Sequence, residues 1–151
     1  MATPAFRSLR LVAGLAPRAW LDLVRATFEL MIARVKLDPT PARFFLQPPP
    51  SGAPSLPYTL LSAQQEQLVK RVAFAVPCIG ARVPWRSDCL IQALAAQRWL
   101  ARAGIAAPID IGVRNAGAFE AHAWLVVGGK IVTGGDISGF TPFEPLFAKK
   151  W

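Results

Sequence analysis

From Ile109 to Thr133 the chain alternates apolar and polar residues and is interrupted twice by glycine-bearing turns, which suits an antiparallel sheet and not a helix. Ile109-Asp110-Ile111-Gly112-Val113-Arg114 has the period of two that a half-buried strand requires. Asn115-Ala116-Gly117 then reads as a turn, residues 119–127 as a second strand, Gly128-Gly129 as a hairpin and 130–133 as its return. Whatever precedes this segment must cover one face of the sheet.

The preceding residues read as helices. Pro17 suits a helix start. From there Trp20, Leu21, Leu23, Val24, Phe28, Met31, Ile32 and Val35 recur at helical spacing to about Lys36, where Asp38-Pro39 stops the helix. Arg18, Arg25, Arg34 and Lys36 mark its polar side, so the expectation is an apolar face in the core and a solvated basic face. Residues 38–57 hold seven prolines and Ser51-Gly52, the composition of an extended linker. Leu60 to Ala75 is a second helix, opened by a capping box between Ser62 and Gln65 and ended by Pro77. A third begins at Cys89, runs to Arg102 and closes at Gly104, a left-handed C-cap. Helices followed by a small antiparallel sheet define an α+β fold. The organisation expected is an amphipathic helical segment over 1–37, a linker over 38–57 and the sheet-bearing domain over 58–151.

Composition narrows the function. With 53% hydrophobic residues in a chain of 151, general disorder is excluded and a core is available. The net charge of +8 calls for an acidic partner, a membrane surface or nucleic acid. The basic residues are scattered and no aromatic–basic motif accompanies them, so an acidic peptide or protein fits better than nucleic acid. Met1 to Leu15 is apolar with Arg7 and Arg10, but Gly14 and Pro17 break the run a signal peptide needs. No stretch approaches the ~18 uncharged apolar residues of a membrane span, and a cytoplasmic location is the expectation. No CxxC pair or histidine cluster suggests a metal, and no motif calls for a cofactor.

The chemistry-bearing residues follow from the elements. In Pro84-Trp85-Arg86-Ser87-Asp88-Cys89-Leu90-Ile91-Gln92, Ser87 or Asp88 can cap the third helix, which puts Cys89 in its first turn. Free N–H groups and the helix dipole stabilise negative charge there, and the thiolate is the nucleophilic form of cysteine. A packed apolar thiol is the alternative, and Cys78, in Val76-Pro77-Cys78-Ile79, fits that description. The chain's single histidine, His122, enters the second strand, and Asp136 follows the return strand. Thiolate, general base and a group that fixes the imidazole tautomer are the parts of a nucleophilic site. Asp110 and Glu120 are the other acids near in sequence, but Asp136 is preferred because, of the three, only it is expected to sit on the strand after the histidine's, closing the return strand.

Val83-Pro84-Trp85-Arg86-x-x-Cys89-Leu90-x-Gln92-Ala93-Leu94, Ile111-Gly112-Val113 and Phe119-x-Ala121-His122-Ala123-Trp124-Leu125 together resemble the lasso-peptide leader peptidases, transglutaminase-like cysteine proteases. Val132-Thr133-Gly134-Gly135-Asp136 and Phe140-x-Pro142-Phe143 are similar to the bacterial branch, and the resemblance covers roughly residues 60–147. It implies a transglutaminase-like, papain-like core that cuts a ribosomal precursor peptide after its leader. An ATP-dependent cyclase would then join the freed amine to a side-chain carboxylate. It also implies Cys89 as nucleophile, His122 as base and later acid, and Asp136 as orienting carboxylate. The first 60 residues lack the β-rich leader-recognition domain fused in some members, which implies a stand-alone peptidase working with a separate leader-binding protein.

For the oxyanion, the Cys89 N–H needs a second donor. The Trp85 indole, on the loop before the nucleophile, is preferred to the Gln92 carboxamide. Trp124 shares a strand face with His122 and either walls the cleft or packs in the core. Rival readings are a transglutaminase-like acyltransferase with an amine as acceptor, a non-catalytic leader-binding scaffold, and a protein anchored to a membrane through residues 18–36.

Overall fold

The computed structural model describes residues 16–37, 61–115, 117 and 119–142. Three helices, α1 (Pro17–Leu37), α2 (Ala63–Gly80) and α3 (Cys89–Ala101), precede strands β1 (Ile109–Asn115), β2 (Phe119–Val127), β3 (Lys130–Thr133) and β4 (Thr141–Pro142). The four strands form one antiparallel sheet in the order β3-β2-β1-β4. The fold is α+β, and β4, two residues pairing with Gly112 and Val113, is the one strand that alternation did not reveal. The Pro-rich 38–57 segment expected as a linker lies outside the described residues.

Helix α3 is the centre. Ile91, Ala93, Leu94, Ala95, Ala96, Trp99 and Leu100 are all buried, so it is apolar nearly all round, as a helix walled on several sides must be. It packs against α1 and α2 on one side and against β2 and β3 on the other. Leu125, Val127 and Val132 join Val72, Val76, Ile91 and Leu100 in a single core. Arg102 caps the helix and Gly104, at φ +70°, turns the chain out as expected of a left-handed C-cap.

Two expectations are corrected. Helix α2 starts at the Ser62–Gln65 capping box but does not stop at Pro77; it continues to Gly80. A proline inside a helix removes one backbone hydrogen bond, to the carbonyl four residues back, and the neighbouring turns can still pair. Here that carbonyl belongs to Ala73.

The larger correction concerns α1. Its buried residues are Asp22, Leu23, Ala26, Glu29, Leu30 and Ala33, whereas Trp20, Leu21, Val24, Phe28, Met31 and Val35 are exposed. The helix docks through Leu23, Leu30 and its acids. Asp22 accepts from Arg71 of α2, with Oδ2 2.7 Å from Nε and a second bond from Nη2 to Oδ1. Glu29, 2% exposed, accepts from Arg98 Nε at 3.1 Å and Arg102 Nη1 at 2.9 Å on α3. A buried carboxylate costs little only when paired, and two such pairs on one face outweigh the pull of the apolar stripe. The small side chains of Ala26 and Ala33 on that face let the helices approach closely.

Candidate active site

The N-terminus of α3 is built by Asp88, whose extended backbone places its carboxylate to accept from the Ile91 N–H at 3.2 Å. Its carbonyl accepts from the Gln92 N–H at 3.0 Å. The N–H groups of Cys89 and Leu90 are left at the helix tip, where a helix has donors without intrahelical partners. Arg86 pairs with the other Asp88 oxygen at 3.0 Å.

Cys89 is drawn onto the sheet by a vacancy in it. Strand β3 pairs with β2 only from Leu125 towards the hairpin, so the first half of β2 has no strand on that edge. Cys89 takes the edge instead, its Sγ accepting the backbone N–H of Ala123 at 3.4 Å. His122, the preceding residue, is thereby brought beside the helix tip. Cys89, Gln92 and His122 line one cavity of about 610 Å³, together with Ala73 and Pro77 of α2 and residues 131–135. The interrupted turn of α2 is thus part of its wall.

The imidazole is held by a backbone group. His122 Nε2 lies 2.6 Å from the carbonyl oxygen of Gly134. A carbonyl can only accept, so Nε2 carries the proton and Nδ1 of the neutral ring keeps its lone pair. Gly134 and Gly135 have φ values of +107° and +60°, which turn the chain sharply after β3. A side chain at Gly134 would put its Cβ 2.3 Å from Trp124 Cβ, so both the conformation and the close approach require glycine.

The same turn carries Asp136 away from the imidazole. Asp136 is exposed, and its Oδ1 accepts the Ser138 N–H at 2.9 Å. Hydrogen bonding from Ser138, with a smaller contribution from Arg114, holds its carboxyl below the ordinary carboxylate value. The hydrogen bond expected from Asp136 is made by the Gly134 carbonyl, two residues earlier. Asp110 and Glu120 are also engaged elsewhere. Glu120 accepts from Arg114 at 2.6 and 3.1 Å. Desolvation holds the Asp110 carboxyl above its ordinary value, against a hydrogen bond with the Trp124 side chain.

The two oxyanion candidates separate. Gln92 lines the cavity, its Nε2 donating one hydrogen to the Ser87 carbonyl at 2.9 Å, and a primary carboxamide has a second to give. Trp85 is not among the cavity-lining residues, and its buried indole N–H has no partner. Trp124 does share a face with His122, with ring centres 6.2 Å apart, but it is 3% exposed and packs behind the imidazole.

Phe140 was missed. Its ring lies 5.0 Å from His122 and 6.4 Å from Trp124, and the Arg114 guanidinium sits 4.5 Å above its centre. The three rings form one cluster, so the imidazole is packed against aromatic rings as well as hydrogen-bonded. The Phe140-x-Pro142 stretch gave the only hint, because β4, at Thr141–Pro142, pairs with β1 immediately after Phe140. Thr133, 1% exposed, also reaches the cavity wall with an unpartnered Oγ1. The arrangement places a thiol, an imidazole whose tautomer is set by a hydrogen bond, and two kinds of N–H donor around one cleft, the groups that acyl transfer from a carbonyl can use.

Among the described residues no helix is long and apolar enough to cross a membrane. Residues 46–148 match the sequence profile of the transglutaminase-like superfamily, a range that includes every residue lining the cavity. No curated protein and no solved structure matches the chain.

Proposed function

The chain belongs to the transglutaminase-like superfamily, and on that footing we propose that it is a cysteine peptidase that removes the leader from a ribosomally made lasso-peptide precursor. The observation that carries the chemistry is the contact of Cys89 Sγ with the backbone beside His122, whose Nε2 is tied to Gly134. The lasso-peptide substrate rests on the motifs around Cys89 and His122 and on their order. A net charge of +8 suits an acidic leader or an acidic leader-binding partner.

In the proposed reaction His122 Nδ1 takes the Cys89 proton and the sulfur attacks the scissile carbonyl. The N–H of Cys89 and the Gln92 carboxamide receive the oxyanion. His122 returns the proton to the leaving amine, which is the new N-terminus of the core peptide. Water then hydrolyses the thioester with His122 as base. The freed amine is the group an ATP-dependent cyclase would join to a carboxylate.

Two predictions arise from this assignment. Asp136→Asn is expected to leave turnover within about threefold, because the orienting acceptor is the Gly134 carbonyl, whereas Gly134→Ala is expected to lose most of it. Initial rates of precursor cleavage, with thermal melts of both variants, check this; a loss of two or more orders of magnitude in Asp136→Asn would return the orienting role to that carboxylate.

The second concerns Gln92. A Cβ added at Gly80 would lie 2.8 Å from Gln92 Cδ and Nε2. The end of a long side chain can move, so Gly80→Ala should cost little stability while displacing the carboxamide. A fall in kcat of about 10²-fold, matching Gln92→Ala, is expected for loss of an oxyanion donor. Wild-type kcat in both variants would transfer that role to another group.

Mass spectrometry of a leader–core precursor, incubated with and without the separate leader-binding protein, tests the function. Cleavage at one bond is expected. Amine-dependent transfer in place of hydrolysis would instead make the chain an acyltransferase, and binding with no turnover would make it a scaffold.

A further inference from the structure

Strand β2 is longer than its neighbour β3 and keeps an open edge beside the cleft. In an antiparallel pair the N–H and C=O groups of successive residues point alternately to the strands on either side. The Ala123 N–H points to Cys89, away from β1, and Leu125 pairs with Thr133 of β3 on that same side. Ala121 and Phe119 lie two and four residues before Ala123, so their N–H and C=O groups also point away from β1. Among the described residues no strand pairs with them there, and Phe119, Glu120 and Ala121 are all exposed. Unpaired main-chain groups on a sheet edge are a template for another extended chain.

The position of the edge says which chain it takes. Cys89 closes it at Ala123, and Ala121 lies only about 7 Å back along the strand. A chain paired with Ala121 therefore reaches the sulfur two residues further on. Phe119, 75% exposed at the outer end, offers an apolar surface beside such a chain. We propose that the substrate peptide adds to this edge as a short strand, its residue two from the scissile bond exchanging both main-chain hydrogen bonds with Ala121. The identity of the added chain rests on the peptidase reading, whereas the free edge does not.

A second copy of this chain is the poorer occupant. Edge-to-edge pairing would run over residues 119–121 before Cys89 stops it, a ladder far shorter than the ~1,000 Å² of a standing interface calls for. A few main-chain bonds suit a ligand that must leave after each turnover. The cavity gives the substrate a second hold, because residues 131–133 of its wall belong to β3, which pairs with β2 only from Leu125 onward. Phe119, Glu120 and Ala121 are not among the residues lining that cavity. Pairing on the edge fixes the depth and direction of the peptide bond without reading its sequence.

The test uses full-length Cys89→Ala protein with and without the leader–core precursor, followed by amide hydrogen exchange read by NMR. The Phe119 and Ala121 amides are expected to exchange about tenfold or more slowly at saturation, while those of Glu120 and His122, which face β1, hardly change. In the otherwise unaltered protein, Ala121→Pro removes one edge donor at a position where a strand tolerates proline. It should raise KM about tenfold, the worth of one hydrogen bond, with a smaller change in kcat. The exchange measurement needs no substitution on the edge, so it decides the matter even if the proline variant does not fold. Precursor cleavage by the parent protein with neither amide slowed would overturn the proposal and leave the peptidase standing. Both amides slowed by the precursor, with no cleavage by the parent, would keep the edge and remove the peptidase. Absence of precursor binding would overturn both, and slowing that follows protein concentration instead of precursor would give the edge to a second copy.

Discussion

Cys89→Ala is expected to leave a leader-bearing precursor uncut, with turnover reduced by at least about 10³-fold, while the fold and peptide binding persist. The magnitude follows from the role. Removing the nucleophile of an acyl-transfer site leaves only what the oxyanion donors and binding contribute. The fold should persist because Cys89 contributes one weak hydrogen bond, the Ala123 N–H on its sulfur at 3.4 Å, and alanine is a good residue for the first turn of α3. The helix cap is made by Asp88 and is untouched. His122→Ala should lose a comparable amount, and the double variant little more, because the two act as one unit. Mass spectrometry gives the rates, and circular dichroism verifies that the variants are folded. Retained single-site cleavage by Cys89→Ala would make the cysteine structural and move the chemistry elsewhere.

The second large effect concerns stability and lies far from the cleft. Replacing both Arg98 and Arg102 with methionine is expected to cost about 3–5 kcal/mol, the penalty for stranding a buried charge. Glu29 is 2% exposed, and it would keep only Arg25, 3.9 Å away. Glu29→Ala should cost less, about 2–3 kcal/mol. The charges it strands are the arginines, which are 25% and 57% exposed, and Arg102 can turn into water. For a chain of this size the double variant should melt roughly 10 °C lower. Differential scanning calorimetry of the two variants reads the asymmetry. Equal losses would mean that Glu29 is better solvated than its burial indicates, and no loss in either would mean that α1 is held by its apolar contacts alone.

The same ion pairs explain why α1 was misread. The helix itself was legible from Pro17, the 3.6-residue repeat and Asp38-Pro39, and its limits agree with the structure. Its orientation was not. A repeat shows that a helix has two faces, and the larger apolar side chains ordinarily mark the inner one. Here Asp22 and Glu29 find arginines that lie far away in sequence, on α2 and α3. Nothing local to residues 17–37 announces those partners.

The site divides along the same line. Helix capping by Asp88 and strand alternation are local, so the sequence by itself determined that Cys89 sits at a helix tip, that His122 and Trp124 share a strand face, and that the fold is α+β with an antiparallel sheet. Only the tertiary structure decided what the imidazole touches. Its hydrogen-bond partner is a main-chain carbonyl, a group every residue possesses and no residue type signals. Strand β3 is shorter than β2, which leaves the edge that Cys89 fills, and the Gly134-Gly135 turn then sends Asp136 outward. The Gln92 position, the wall made by Ala73 and Pro77, and the packing of Phe140 on His122 likewise depend on how α2, α3 and β4 come together. Periodicity and capping are set by neighbours within a turn or two, whereas the contacts that complete this site join segments far apart in the chain.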